Sequence, residues 1–177
     1  MFERLLALIE KCIPEVRVDI PTIKKILIVD LNFRGDMLMS SPVMRALKEN
    51  LLGVRVDVMC FDFCVPILQA NPWIDRIWPV KRLGLWNVFK AAFRDYDLVL
   101  QLNTSLKTNF WMWIVGGRYR LGWNYRHRGC FNNIRPKLRH RTARFGNRVL
   151  ENLLLVHIAF PEMPAFWEYM IFDVRPE

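Results

Sequence analysis

The sequence predicts an α/β domain built on an open, doubly wound parallel sheet, and two observations carry that expectation. Short runs rich in β-branched and apolar residues recur at intervals of roughly 20 to 30 residues, with room for a helix between most of them. The first run, Ile26-Leu27-Ile28-Val29, is apolar without interruption, as expected of a strand buried on both faces. A chain of 177 residues can hide roughly 70% of its unfolded surface, so no disulfide or metal staple is required.

Taken in order, residues 2–13 place Phe2, Leu5, Leu6, Ile9 and Ile13 at helical spacing with charges between them, which predicts a short amphipathic helix ending before Pro14. The strand at 26–29 follows. Residues 36–51 carry Met39, Val43, Leu47 and Leu51 four apart and read as a helix lying on the sheet. Its start has two readings: one helix from near Asp36, or a turn followed by a helix capped by Ser41 with Pro42 in its first turn. Further strands are expected near 55–60, 74–78, 97–102 and 119–122. Residues 123–141, polar and Arg-rich, predict a mobile loop, and 142–160 a helix with Val149, Leu153, Val156 and Phe160 on one face. The aromatic pair Trp111 and Trp113 is expected to pack against the sheet.

Composition narrows the function. The chain is 53% hydrophobic and 24% charged, with mean hydropathy +0.09, which excludes a disordered chain. No apolar run approaches the roughly 20 residues a bilayer crossing needs, and the start MFERLLALIEK does not read as a signal peptide. Cys12, Cys60, Cys64 and Cys130 match neither a zinc site nor a redox pair and are expected as reduced thiols. His127, His140 and His157 do not have metal-ligand spacing. The net charge of +9 is concentrated late in the chain: no carboxylate side chain lies between Asp97 and Glu151, where eleven Lys and Arg residues occur. That pattern suits a polyanionic partner, a solvated basic surface, or a nucleic-acid-binding face.

In a doubly wound sheet, ligands bind at the carboxyl ends of the strands, here the loops 31–36, 61–63 and 103–107. The first of these, Leu31-Asn32-Phe33-Arg34-Gly35-Asp36, has one glycine where a dinucleotide fingerprint needs three, and no Walker lysine pattern occurs anywhere. No cofactor and no metal are therefore expected. Asp36 fits a general base held at a helix start, and equally a capping aspartate with no chemistry.

Three blocks resemble glycosyltransferase family 9, the ADP-heptose:lipopolysaccharide heptosyltransferases, over residues 25–160. They are ILIVDLNFRGDMLMSSPVMRALKE, VRVDVMCFDFCVPILQANPWIDRIWPV and YDLVLQLNTSLKTNFWMWIVGGRYRLGW. The resemblance implies the amino-terminal lobe of a GT-B enzyme, with a Rossmann-like sheet that binds the acceptor. Residues 1–20 are set apart as an amphipathic segment by their helical spacing, and the resemblance implies 21–162 as the acceptor lobe and 163–177 as a connector to a second, donor-binding lobe. By the same resemblance Asp36 is the general base. Arg34, Gly35, Ser40, Ser41, Lys107, Arg118 and Arg120 are the expected contacts to an anionic, Kdo-bearing glycolipid acceptor. The donor would be an ADP-sugar, and the setting cytoplasmic and peripheral at the inner membrane, with nucleic acid not the expected partner. Gln101-Leu102-Asn103 departs from the aspartate and histidine that family members carry there.

Overall fold

A computed structural model describes residues 2–81, 88, 90, 91, 94–137 and 147–163. Five parallel strands, β1 (Lys25–Val29), β2 (Arg55–Phe61), β3 (Arg76–Val80), β4 (Leu98–Gln101) and β5 (Tyr119–Gly122), form one sheet in the order β3-β2-β1-β4-β5. The chain moves outward from β1 in one direction and then returns to β1's other side to place β4. All carboxyl ends lie along one edge, and the order reverses between β1 and β4.

Helices cover both faces, as the alternation in β1 requires. Ile26 and Ile28 point into one apolar cluster, closed by α2 (Arg34–Asn50) and α5 (Arg148–Ala159) through Met37, Val43, Met44, Leu47, Leu153, Val156 and Phe160. Leu27 and Val29 point into the other, closed by Trp111, Met112 and Val115 of α4 (Leu106–Val115) together with Val88 and Ala91. A short α3 (Val65–Leu68) follows a 3-10 turn after β2.

The structure settles or shifts several sequence expectations. α2 is a single helix from Arg34; Pro42 removes one backbone hydrogen bond without ending it. β3 begins two residues later than expected and carries Pro79, which an edge strand tolerates. Trp111 is buried as expected, but Trp113 is 48% exposed and stacks with Phe110 and Phe131 outside the sheet's cover. Cys60, Cys64 and Cys130 are buried free thiols and Cys12 an exposed one. The start of the expected 142–160 helix, residues 138–141 of the expected loop, and nearly all of the 163–177 connector lie outside the described residues.

The expected mobile loop is, over 123–137, a packed structure. Gly122 N–H donates to the Ile134 carbonyl and Asn124 N–H to that of Pro136, so the segment runs back beside β5. Buried amides hold it from within: Asn109 Nδ2 donates to Asn132 Oδ1 at 2.6 Å and to Gln101 Oε1 at 3.1 Å, and Asn109 Oδ1 accepts from Phe131 N–H. Gly122 makes room, since a Cβ there would lie 2.5 Å from Asn132 Nδ2 and 3.1 Å from the Gln101 Cβ.

The helix α1 (Phe2–Cys12) rests on this segment. Leu6 is buried, Glu10 pairs with His127 Nδ1 at 2.6 Å, and Arg135 donates to the carbonyls of Glu10 and Ile13. Burial works to raise the Glu10 pKa, but hydrogen bonds from His127 and Asn124 and the nearby positive charges win and hold it below the ordinary glutamate range. Such a group stabilises the fold above its unfolded pKa and loses that contribution as pH falls through the lower, folded value.

Two outcomes follow. Gly122→Ala, which drives a methyl into the Asn132 and Gln101 amides, lowers stability by about 1–3 kcal/mol in urea titrations. Glu10→Gln flattens part of the stability loss that the parent chain shows below about pH 4.5, the ordinary glutamate value, when thermal unfolding is followed across pH.

Candidate functional site at the sheet's switch point

The three loops singled out from the sequence meet at the carboxyl edge. Arg34 Nε donates to the Phe63 carbonyl at 2.9 Å, joining the β1 loop to the β2 loop, and Phe33, Phe63 and Phe61 stack in succession. On the other side Asn32 faces Asn103, Thr104, Ser105 and Lys107 across a cleft of about 370 Å³, which Phe2, Arg128 and Arg148 also line. This is where the strand order reverses, the place at which open α/β sheets bind ligands.

The cleft floor is polar by construction. Ser105 caps α4, with its hydroxyl accepting from Thr108 N–H, and Asn103 Oδ1 accepts from Ser105 N–H at 3.1 Å and Gln101 Nε2 at 3.0 Å. Asn103 is 4% exposed, and among the described residues its Nδ2 has no hydrogen-bond partner. A donor left unpaired in a buried position is costly, and a ligand oxygen would satisfy it. Lys107 and Arg128 are exposed, with the Lys107 ammonium 4.8 Å from the Trp111 ring centroid. Arg148 is anchored through Leu102's carbonyl at 2.8 Å and Glu151 at 3.1 Å. Three cations and a neutral amide floor suit a phosphate or carboxylate.

Beneath the cleft lies a residue that sequence reasoning missed. Asp30, directly after β1, is fully buried and accepts from Ser40 Oγ and from Asn32 Nδ2, each at 2.6 Å, while Asn152 Nδ2 donates to the same Ser40 oxygen. Burial pushes the Asp30 carboxyl above the ordinary aspartate range, against the Ser40 and Asn32 hydrogen bonds and the charge of Arg148; the charge of Asp36 adds to the rise. Its only sequence signal is a charge set at the end of an unbroken apolar run. Arg128 and Arg148 stood in the basic stretch without being distinguished from their neighbours.

Among the residues singled out earlier, Asp36 sits in the first turn of α2, half-buried, and among the described residues its carboxylate has no hydrogen-bond or ion-pair partner. That leaves its lone pairs available to take a proton from a bound hydroxyl. Gly35 borders open space and Ser41 is half-buried. Ser40 is turned inward and its hydroxyl is committed to Asp30, so it acts on the loop and not on a ligand. Arg118 and Arg120 are not brought to this edge. Parallel strand polarity puts Arg118, before β5, at the opposite end, where its guanidinium lies over Tyr119. Arg120 donates to the carbonyls of Phe131 and Gly117, and its burial lowers its pKa, the mark of a structural arginine.

No family model matches the chain. Lipopolysaccharide heptosyltransferase 3 of Escherichia coli is 27% identical over 137 residues, 71% of this chain and 40% of the relative. Lipooligosaccharide heptosyltransferase 2 of Haemophilus ducreyi is 29% identical over 116 residues, 62% of this chain and 33% of the relative. The chain thus spans well under half the length of either. The solved E. coli ADP-heptose lipopolysaccharide heptosyltransferase II superposes with TM-score 0.57 at 26% identity, over 63% of this chain and 34% of that one. A glycosyltransferase family 9 protein from Veillonella parvula superposes with TM-score 0.67 at 15% identity, over 86% of this chain and 44% of that one. In sequence and in fold the chain is therefore similar to the heptosyltransferases of glycosyltransferase family 9, over a part of their length that fits their amino-terminal lobe.

Proposed function

We propose that this lobe binds the acceptor in heptosyl transfer from an ADP-sugar to the inner core of lipopolysaccharide, and that Asp36 is the general base. The observation that carries the reading is the cationic cleft at the switch point, lined by Lys107, Arg128 and Arg148, at the same sheet edge as Asp36, whose carboxylate has no partner among the described residues. An inner-core acceptor is phosphorylated and carboxylated, and the cleft's cations and the Asn103 amide match those groups. In the proposed step the acceptor hydroxyl gives its proton to the Asp36 carboxylate as its oxygen bonds to the anomeric carbon. The bond from that carbon to the diphosphate breaks, its electron pair leaves with ADP, and configuration inverts.

The donor pocket and the groups that neutralise the departing diphosphate belong, in this reading, to a second lobe. Support for the ADP-sugar comes from a similar solved protein, E. coli heptosyltransferase WaaC, whose structure holds ADP. The setting we propose is the cytoplasmic face of the inner membrane. The membrane contact we propose is peripheral, and among the described residues no helix is long and apolar enough to cross a bilayer. The α1 helix suits it: Leu5 and Leu8 are exposed, with Arg4 and Lys11 flanking them, while Glu10 is turned towards His127.

Two outcomes test the reading. Supplied with the carboxyl-terminal lobe of a relative, fused or in trans, the chain transfers heptose from ADP-heptose to a Kdo-lipid acceptor, and Asp36→Asn lowers the rate by about 10²- to 10⁴-fold with acceptor affinity little changed. The 177 residues alone give no turnover above background. Calorimetry with delipidated Kdo-phosphosugar shows Lys107→Gln and Arg128→Gln each weakening binding and reducing its salt dependence, and Arg118→Gln leaving both unchanged. Turnover unaffected by Asp36→Asn would remove the proposed base.

A further inference from the structure

The second cationic depression lies away from this edge, against edge strand β3. Arg76, Trp78, Lys90 and Arg94 line a shallow hollow of about 570 Å³. Its distinguishing feature is one indole shared by two arginines: the Arg76 guanidinium carbon stands 5.2 Å from the Trp78 ring centroid and that of Arg94 5.7 Å. Trp78 is 7% exposed and fixed, because its Nε1–H donates to Tyr96 Oη at 2.9 Å and the Tyr96 hydroxyl donates in turn to Asp57 Oδ2 at 2.7 Å. The hydrogen bond towards a buried carboxylate enriches the indole face that attracts the two cations.

Two like charges share one ring, and three of the nearby carboxylates, Asp57, Asp75 and Asp97, are engaged elsewhere. Asp57 is engaged by Arg55 Nε at 2.9 Å as well as by Tyr96, and Asp75 by Lys48 at 2.6 Å. Asp97 accepts from the backbone N–H groups of Lys24 and Lys25. Asp95, next to Arg94, is exposed. Among the described residues neither Arg76 nor Arg94 forms an ion pair. Lys25, whose Nζ donates to the Arg94 carbonyl at 3.4 Å, adds a further cation nearby.

The geometry points to a phosphate-binding site in this hollow, separate from the acceptor cleft: two guanidinium forks, preorganised on a rigid indole, take the oxygens of a phosphate monoester or inorganic phosphate. Arginine suits this because its planar fork matches a phosphate edge, and stacking on the ring removes much of the freedom that binding would otherwise cost. The shared chemistry is the dianionic phosphate, whether it arrives free in solution or on a lipid headgroup.

The test follows the indole ¹H–¹⁵N signal of Trp78, identified by Trp78→Phe, in the full chain. One arm titrates inorganic phosphate at constant ionic strength; the other adds vesicles of phosphatidylcholine with or without phosphatidic acid. A saturable shift with phosphate that Arg76→Gln/Arg94→Gln weakens about tenfold or more, and that Lys107→Gln leaves intact, supports a site for soluble phosphate. A response confined to phosphatidic-acid vesicles and lost in the same double variant supports the lipid source. If the double variant does not fold, Arg76→Lys/Arg94→Lys, which keeps the charges and loses the forks, must weaken binding instead. The proposal is overturned if the shift is absent in both arms, fails to saturate, or is the same in the arginine variants as in the parent.

Discussion

A carboxylate with no access to solvent, at the carboxyl end of the central strand, is the constraint around which the candidate site is arranged. Asp30 would be expensive to bury alone; it is tolerated because Ser40, Asn32 and the charge of Arg148 converge on it. Each of those partners belongs to a different part of the edge. Ser40 is in α2, Asn32 in the β1 loop, and Arg148 and Asn152, which reaches Ser40, in α5. Asp30 thus ties the β1 loop to α2, the helix that carries Asp36, and to α5. Protonating Asp30 removes the penalty of burying its charge, so this group favours the folded state most below its unfolded pKa and loses that contribution as pH rises through the higher, folded value.

The same edge shows how a charge excess becomes a site. Of the Lys and Arg residues between Asp97 and Glu151 that the structure describes, those that line the cleft are the ones the backbone delivers to the carboxyl ends. Lys107 is on the first turn of α4, Arg128 in the segment folded back beside β5, and Arg148 opens α5. Arg120 and Arg135 spend their guanidinium donors on backbone carbonyls and hold that segment in place. Among the described basic side chains of this stretch, Arg120 and Arg135 help build the wall, and Lys107, Arg128 and Arg148 line the cleft.

Much of this fold was legible because burial leaves a mark in sequence. The run at β1 has no polar residue to spare because both of its faces are covered, and β5 was placed at 119–122 as found. The segment 123–137 was not legible as packed structure, since it is held by the Asn109, Asn132 and Gln101 amides and not by a periodic apolar face. Trp113 misled for a related reason: α4 is apolar nearly all round, so its pattern does not tell the buried indole of Trp111 from the exposed one two residues on. At the site, the three loops were found from topology, and Asp36 from its place beside Gly35. Charge alone could not tell Arg118 from Arg128, because the difference lies in which end of a parallel strand each one occupies. Asp30 was overlooked because a buried acid looks, in one sequence, like any other turn residue.

The central claim is that the anion-binding surface of this lobe is the cleft between β1 and β4, next to Asp36. The most direct measurement is an amide chemical-shift map of the chain titrated with delipidated Kdo-phosphosugar, and separately with ADP-heptose and an arbitrary oligonucleotide. The account predicts saturable shifts with the acceptor at Asn32, Asp36, Asn103, Ser105 and Lys107, with little response to the nucleotide sugar. Shifts centred on Arg118 and Tyr119, or a response to the oligonucleotide in place of the sugar, would contradict it.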